Sequence, residues 1–183
     1  MFIQTEQTPN PATLKFLPGR PVMVSGTANF TTEEAARVSP LAERLFSLPE
    51  VTGVFFGADF ITVSKGGDGD WYQLKPAVLA AIMEHFTAGR PVLLADAIPE
   101  TGEIDEDEDE IVAQIKELLE TRVRPAVAQD GGDIIFHDFE AGIVYLHMQG
   151  SCSGCPSSTA TLKAGIENML RHYIPEVVEV RAV

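Results

Sequence analysis

Asp96-Ala97-Ile98-Pro99-Glu100-Thr101-Gly102-Glu103-Ile104-Asp105-Glu106-Asp107-Glu108-Asp109-Glu110 holds nine acidic side chains and no basic one. Like charges this dense keep a chain extended, and with Pro99 and Gly102 among them no periodic apolar face is left to bury. The block therefore reads as an acidic flexible linker over residues 96–110, spanning on the order of 20 Å. It separates a domain at residues 1–95 from a second at residues 111–183. These flanks are nearly balanced, at net −2 and −3, so the linker supplies most of the total charge of −14. A length of 183 residues suits one ordinary domain or two small ones. With 45% hydrophobic and 22% charged residues there is apolar material for two cores, which excludes global disorder and collagen-like repeats.

Charge and hydropathy exclude further classes. Thirteen Lys and Arg against 27 Asp and Glu repel phosphate backbones and anionic lipid surfaces, so neither nucleic acid nor membrane is an expected partner. No stretch approaches the roughly 18 uninterrupted apolar residues of a membrane span. The opening Met1-Phe2-Ile3-Gln4-Thr5-Glu6 has neither a basic nor an apolar leader region, so a non-secreted chain is expected.

The first domain reads as α+β. Residues 2–8 and 12–17, split by Thr8-Pro9-Asn10-Pro11, suit a strand pair. A helix is expected to start within residues 32–37, and Ser39-Pro40 places an N-cap hydroxyl before a Pro at the first position of another. Residues 51–57 and 60–64 are β-branched and aromatic and predict a hairpin. From 75 to 88, Val78, Leu79, Ile82, Met83 and Phe86 mark one helical face, with His85 expected on the solvated side.

In the second domain Ile111, Ile115, Leu118, Leu119 and Arg122 form a helical stripe, which Arg124-Pro125 should bend or interrupt. Asp130-Gly131-Gly132-Asp133 reads as the turn that stops it. Residues 133–139 and 143–149 predict a hairpin, with Ile134 and Phe136 on one face and Ile135, His137 and Phe139 on the other. Leu162, Ile166, Met169, Leu170 and Tyr173 recur at helical spacing, and Val178, Val180 and Ala182 alternate with Glu179 and Arg181. The expected order is α-β-β-α-β.

The chain has two cysteines, Cys152 and Cys155, between the second strand and the helix expected from Pro156. Two thiols three residues apart cannot staple a fold, so the pair is chemical. Pro156 suits a first helical position, which puts Cys155 near the N-cap, where backbone N–H groups and the helix dipole favour a thiolate. A thiolate is both a soft metal ligand and a nucleophile, so metal binding and redox exchange are both served. Gly150 and Gly154 leave room for a bulky ligand, and Ser151, Ser153, Ser157 and Ser158 could donate hydrogen bonds to sulfur. A cluster or structural zinc normally takes four protein ligands, and His137, His147 and His172 are placed as strand and helix-end residues rather than ligands. A two-fold homodimer would bring four thiolates together. A thiol–disulfide oxidoreductase is the alternative, though that fold normally places a βαβ unit before the motif.

The run Gly150-Ser151-Cys152-Ser153-Gly154-Cys155-Pro156-Ser157-Ser158-Thr159, after Arg124-Pro125 and Asp130-Gly131-Gly132-Asp133, resembles the NifU C-terminal-like domain of the Nfu iron–sulfur scaffold family across residues 111–183. Residues 1–95 resemble the N-terminal domain of mitochondrial-type Nfu proteins, through Gln7-Thr8-Pro9-Asn10-Pro11, Leu14-Lys15-Phe16-Leu17-Pro18-Gly19, Ser39-Pro40-Leu41-Ala42 and Gly53-Val54-Phe55-Phe56-Gly57. The resemblance implies a scaffold or carrier, not an enzyme. It implies that Cys152 and Cys155 ligate a [4Fe-4S] cluster bridging two subunits, with a [2Fe-2S] form left open. Upstream assembly proteins and apo iron–sulfur clients are the implied partners. The expected location is the cytoplasm of a bacterium, or the mitochondrial matrix for a processed form.

Overall fold

In a computed structural model the described residues are 2–24, 26–94, 109–151 and 156–183, with side chains from residue 160 onward in the last stretch. The chain divides into two compact units, Met1–Thr101 and Gly102–Val183. The linker expected at 96–110 lies outside the described residues except for Asp109 and Glu110.

Unit 1 runs β1 Gln4–Gln7, β2 Thr13–Leu17, β3 Ala28–Phe30, α1 Glu33–Ala36, α2 Pro40–Phe46, β4 Val51–Phe56, β5 Ile61–Lys65 and α3 Trp71–Thr87. Its antiparallel sheet is ordered β1-β2-β5-β4-β3. The Pro-Asn turn makes the first strand pair because Asn10 folds the chain locally: its Oδ1 accepts from Ala12 N at 3.0 Å and its carbonyl from Thr13 N at 3.0 Å. Each helix of this unit starts on a side-chain cap, Ser39 as expected and Thr32 and Asp70 besides, the last starting α3 four residues before the expected Lys75. Thr32 accepts from Ala35 N, Ser39 from Ala42 N and Asp70 from Tyr72 N. Phe16, Phe56, Ile61 and Val63 of the sheet pack with Leu41, Leu45, Val78 and Ile82 of the helices in one core. Alternation sends Phe55 to the other face, where its ring lies 5.9 Å from Phe60 and Lys15 sits over Phe60 at 4.8 Å. Strand β3 has no counterpart in the sequence reading, since three residues are too few to show a period.

Two side chains of α3 depart from expectation. Met83 is exposed, and His85 is buried. The buried face is Leu74, Val78, Ala81, Ile82, His85 and Phe86, so the core-facing arc includes the histidine. Its Nε2 has no hydrogen-bond partner among the described residues, and its ring meets Phe86 edge-on at 5.5 Å. Burial pulls its pKa below the ordinary value, because charging the ring would strand a cation in the core.

Unit 2 runs α4 Glu110–Leu118, a π-helical turn Leu119–Val123, α5 Arg124–Gln129, β6 Gly132–Glu140, β7 Ile143–Gly150, α6 Pro156–Tyr173 and β8 Glu179–Ala182. The order α-β-β-α-β holds. β6 and β7 pair antiparallel, and β8 adds parallel to β7. Asp109 caps α4 by accepting from Ile111 N, so the last two acids of the charged block belong to the helix start, where its dipole favours them. The interruption expected at Arg124-Pro125 takes the form of a π turn between α4 and α5. A proline there lacks an N–H and crowds the carbonyl four residues back, and the chain relieves both by widening into the π turn. At the hairpin, Ala141 at φ 51° and Gly142 at φ 80° give the mirror-image turn that matches strand twist. A Cβ on Gly142 would lie 2.8 Å from Val178 Cγ2.

A β-bulge between Phe136 and Asp138 corrects the strict alternation. The extra residue resets the faces, and Phe139 joins Phe136 against the core of Ile115, Ile134, Leu146, Ile166, Leu170 and Val180. Tyr173 and Val178 are largely exposed rather than core; the Tyr173 ring instead carries Arg122 at 5.2 Å.

His85 gives a test. Trp71, the single tryptophan, starts α3 and so reports on unit 1, which holds no other histidine. The unfolded chain takes up the His85 proton more readily than the folded one, so stability is full above pH about 6.5 and falls as acid is added below it. The urea midpoint of Trp71 fluorescence should drop over that range, and His85→Leu should flatten the drop.

Candidate functional site

Cys152 and Cys155 lie outside the described residues, but the segments that deliver and receive them are well defined. The pair stands in sequence between the end of β7 at Gly150 and the start of α6 at Pro156. That is the strand-to-helix junction expected for it, with Pro156 at the first helical position.

The delivering side is held by the turn that ends α5. Asp130 N donates to the Val127 carbonyl and Gly131 N to the Ala128 carbonyl, both at 3.0 Å. Gly131 takes φ 80°, the left-handed conformation that glycine adopts without strain. β6 then starts at Gly132, which pairs with Gly150 across the ladder. Ser151, 2% exposed, closes the arrangement. Its backbone N donates to the Gly131 carbonyl at 3.2 Å, and its hydroxyl donates to the Asp130 carbonyl. The hydroxyl was a candidate donor to sulfur; its proton goes to the backbone instead. Ser153 lies outside the described residues, as do the side chains of Ser157 and Ser158.

The same turn is fastened to the helix by a buried ion pair. Asp133 is 3% exposed. Its Oδ1 accepts from Arg124 Nε at 2.8 Å and its Oδ2 from Arg124 Nη2 at 2.8 Å, and Oδ1 also accepts from Ile134 N at 2.8 Å. Arg124 reaches Glu120 as well, one helical turn back, at 2.5 Å. Hydrogen bonding to Asp133 chiefly raises the Arg124 pKa above its ordinary value, with Glu120 adding to it against the opposing effect of burial. The guanidinium is thus a fixed positive charge in a two-pronged fork.

Sequence reasoning took Arg124-Pro125 only as a helix disturbance and Asp130–Asp133 only as a turn, and missed the bond between them. One signal was available: an acid opening an otherwise apolar strand, Asp133 before Ile134-Ile135, needs a cation, and Arg124 is close in sequence. The histidines are not drawn together with these residues. His137 and His147 are exposed on β6 and β7, His147 Nδ1 lies 3.1 Å from the Val183 carbonyl, and His172 meets Tyr173 edge-on. Among the described residues no group of three or more His, Cys, Asp or Glu side chains is placed to hold a metal.

Both halves of the chain match family models. Residues 3–89 match one described as scaffold protein Nfu/NifU N terminal, and residues 115–181 match a NifU-like domain. The mitochondrial NFU1 iron-sulfur cluster scaffold homolog of Drosophila sechellia is 57% identical over 185 residues, covering 100% of this chain and 65% of that protein. The human protein of the same name is 54% identical, covering 100% of this chain and 72% of its own length. A solution NMR structure of a NifU-like protein from Saccharomyces cerevisiae aligns with a TM-score of 0.46 at 28% identity, over 51% of this chain and 84% of that one. The chain spans just under two thirds of the Drosophila relative's length.

Removing the carboxylate tests the ion pair. Asp133→Ala leaves a guanidinium only 27% exposed without its main partner, and Ile134 N without its acceptor. Loss of one member of a buried pair costs about 3–5 kcal/mol, and the remaining Glu120 contact places the expected loss near the lower end. Urea unfolding followed by circular dichroism should show the unit 2 transition shifted, while the Trp71 fluorescence transition stays in place.

Proposed function

Since the chain belongs to the Nfu/NifU scaffold family, we propose that it is a non-enzymatic iron–sulfur carrier that assembles a labile cluster on Cys152 and Cys155 and passes it to apo-proteins. The relatives' names, which speak of an iron-sulfur cluster scaffold, support the general role. One observation carries the particulars: the chain's whole complement of two cysteines stands three residues apart at the β7–α6 junction.

Physical chemistry does the rest. A thiolate is favoured beside the start of a long helix, where unpaired N–H groups point outward. A [4Fe-4S] cargo has four irons to ligate, and one chain offers two sulfurs. Two copies related by a two-fold axis supply four, so the cluster is shared between the subunits of a homodimer. Each chain then contributes half the ligands, and separating the subunits releases the cargo. Such lability suits delivery better than electron storage. Upstream assembly proteins load the pair and apo iron–sulfur proteins receive from it. The word mitochondrial in the relatives' names supports the mitochondrial alternative over the cytoplasmic one.

Anaerobic reconstitution with ferrous iron and sulfide is the test. The expected product is a brown dimer with about two irons per chain, the share of one cluster between two copies. Cys152→Ala and Cys155→Ala should each abolish cluster retention and lower the dimer fraction on sedimentation. A single variant that loads fully would overturn the ligand assignment. A colourless monomer that exchanges disulfides would favour the oxidoreductase reading.

A further inference from the structure

The residue before Cys152 is held by contacts to the turn that precedes β6. Ser151 is 2% exposed, and its hydroxyl and backbone N–H both go to the turn at Asp130-Gly131. That turn is not a passive loop. It is tied to α5 by the two backbone bonds at its entry and stands three residues before Asp133, whose carboxylate takes both prongs of Arg124. Arg124 in turn is braced by Glu120 within the π turn. The helix is thus bonded to Asp133, and the turn ending two residues before Asp133 is bonded to Ser151, one residue before Cys152.

We propose that Ser151 is a positioning residue for cluster binding: its clasp to the Asp130–Gly131 turn, stiffened by the Arg124–Asp133 pair, fixes the chain where it enters the Cys152-x-x-Cys155 segment. This rests on the carrier reading above and adds to it a residue that ligates nothing. The physical reason is reach. A thiolate binds only within a few tenths of an ångström of its proper distance, and a ligand is held there only if the backbone beneath it is held. With two sulfurs per chain, no spare ligand covers for one that wanders.

The site explains three sequence features at once. A serine suits the position because it is buried and its short side chain donates a hydrogen bond to a carbonyl. Gly131 is needed because only a left-handed residue presents that carbonyl and the Asp130 carbonyl to the same partner. Gly150, at φ 66°, turns the strand end towards them.

Ser151→Ala tests the clasp, since it deletes the hydroxyl and leaves the backbone bond. In the full-length apo-protein, amide hydrogen exchange at residue 151 should accelerate roughly five- to tenfold, the effect of losing one hydrogen bond of ordinary net strength. Amides of β6 and β7 should exchange as in the wild type. Alkylation should change at Cys152 more than at Cys155. In the reconstituted protein, initial iron loading should be retained while loss of cluster to a chelator becomes several-fold faster. Arg124→Lys keeps the charge but loses the fork, and should move the same readouts in the same direction by less. Faster exchange spread evenly over unit 2 would reduce Ser151 to a structural role and overturn the proposal, as would an unchanged chelation rate. A wild-type protein that takes up no cluster would refute the carrier reading, while exchange and alkylation of the apo-protein would still decide the clasp.

Discussion

A carboxylate withdrawn almost wholly from water must be paired, and the pairing of Asp133 sets the shape of unit 2. Its partner has to come from the preceding helix and has to face the strand. Arg124 does so only because of the π turn before it: one extra residue in the ring rotates the next helical turn by about 100°. Val123 and Val127 then reach the core while Arg124 reaches Asp133. Pro125, which cannot donate to a carbonyl four residues back, makes the wide turn the less strained solution. The irregularity and the ion pair are therefore one feature. Breaking the helix outright would leave the aspartate with water alone, and a regular helix would aim the arginine elsewhere.

The ends of β6 and β7 inherit that constraint. Gly132 and Gly150 face each other at the mouth of the hairpin, and the residues on either side, Gly131 and Ser151, close across it. The far end of the same hairpin is fixed by different means, the mirror-image turn at Ala141-Gly142 packed against Val178. Unit 1 has a looser counterpart, the buried Lys15 ammonium 3.5 Å from the exposed Glu6 carboxylate. Its five strands are all antiparallel, its helices carry ordinary side-chain caps, and its one buried titratable ring, His85, stays neutral without a counter-charge. Burial is thus handled differently at two positions: His85 is a base kept uncharged, and Asp133 is an acid paired with a fixed cation.

The legibility of each element in the sequence reflects this difference. Period and punctuation are local, so the strand pair at the Pro-Asn turn, the Ser39-Pro40 helix start and the β-β-α-β run were all legible. Interactions that depend on an inserted residue were not. The bulge after Phe136 returns Phe139 to the core against strict alternation, and the π turn carries Arg124 to a partner that helical spacing would not give it. His85 was misplaced for a related reason: the apolar spacing of α3 defined its stripe by the residues that were visibly hydrophobic, and the buried arc extends one position past them. Of the site, the strand-to-helix junction and the count of thiols were legible because they are properties of the order of residues. The acceptor of the Ser151 hydroxyl, a carbonyl 21 residues earlier in the chain, has no sequence signature, so donation to sulfur was only one option the sequence offered.

Rigidity at the entry to the motif bears on how a carrier can be labile. A cluster can be loosely held because the loop that ligates it is soft, or because its ligands are divided between two chains. The contacts of Ser151, Gly131 and Asp133 speak against the first for the residue before Cys152, which is buried and doubly bonded. On the carrier reading proposed above, the second would need no softness: a site divided between two chains would give up its cargo when the chains part, and an entry residue already held by Gly131 and Asp130 would lower the entropy lost in ordering the ligands when they meet again.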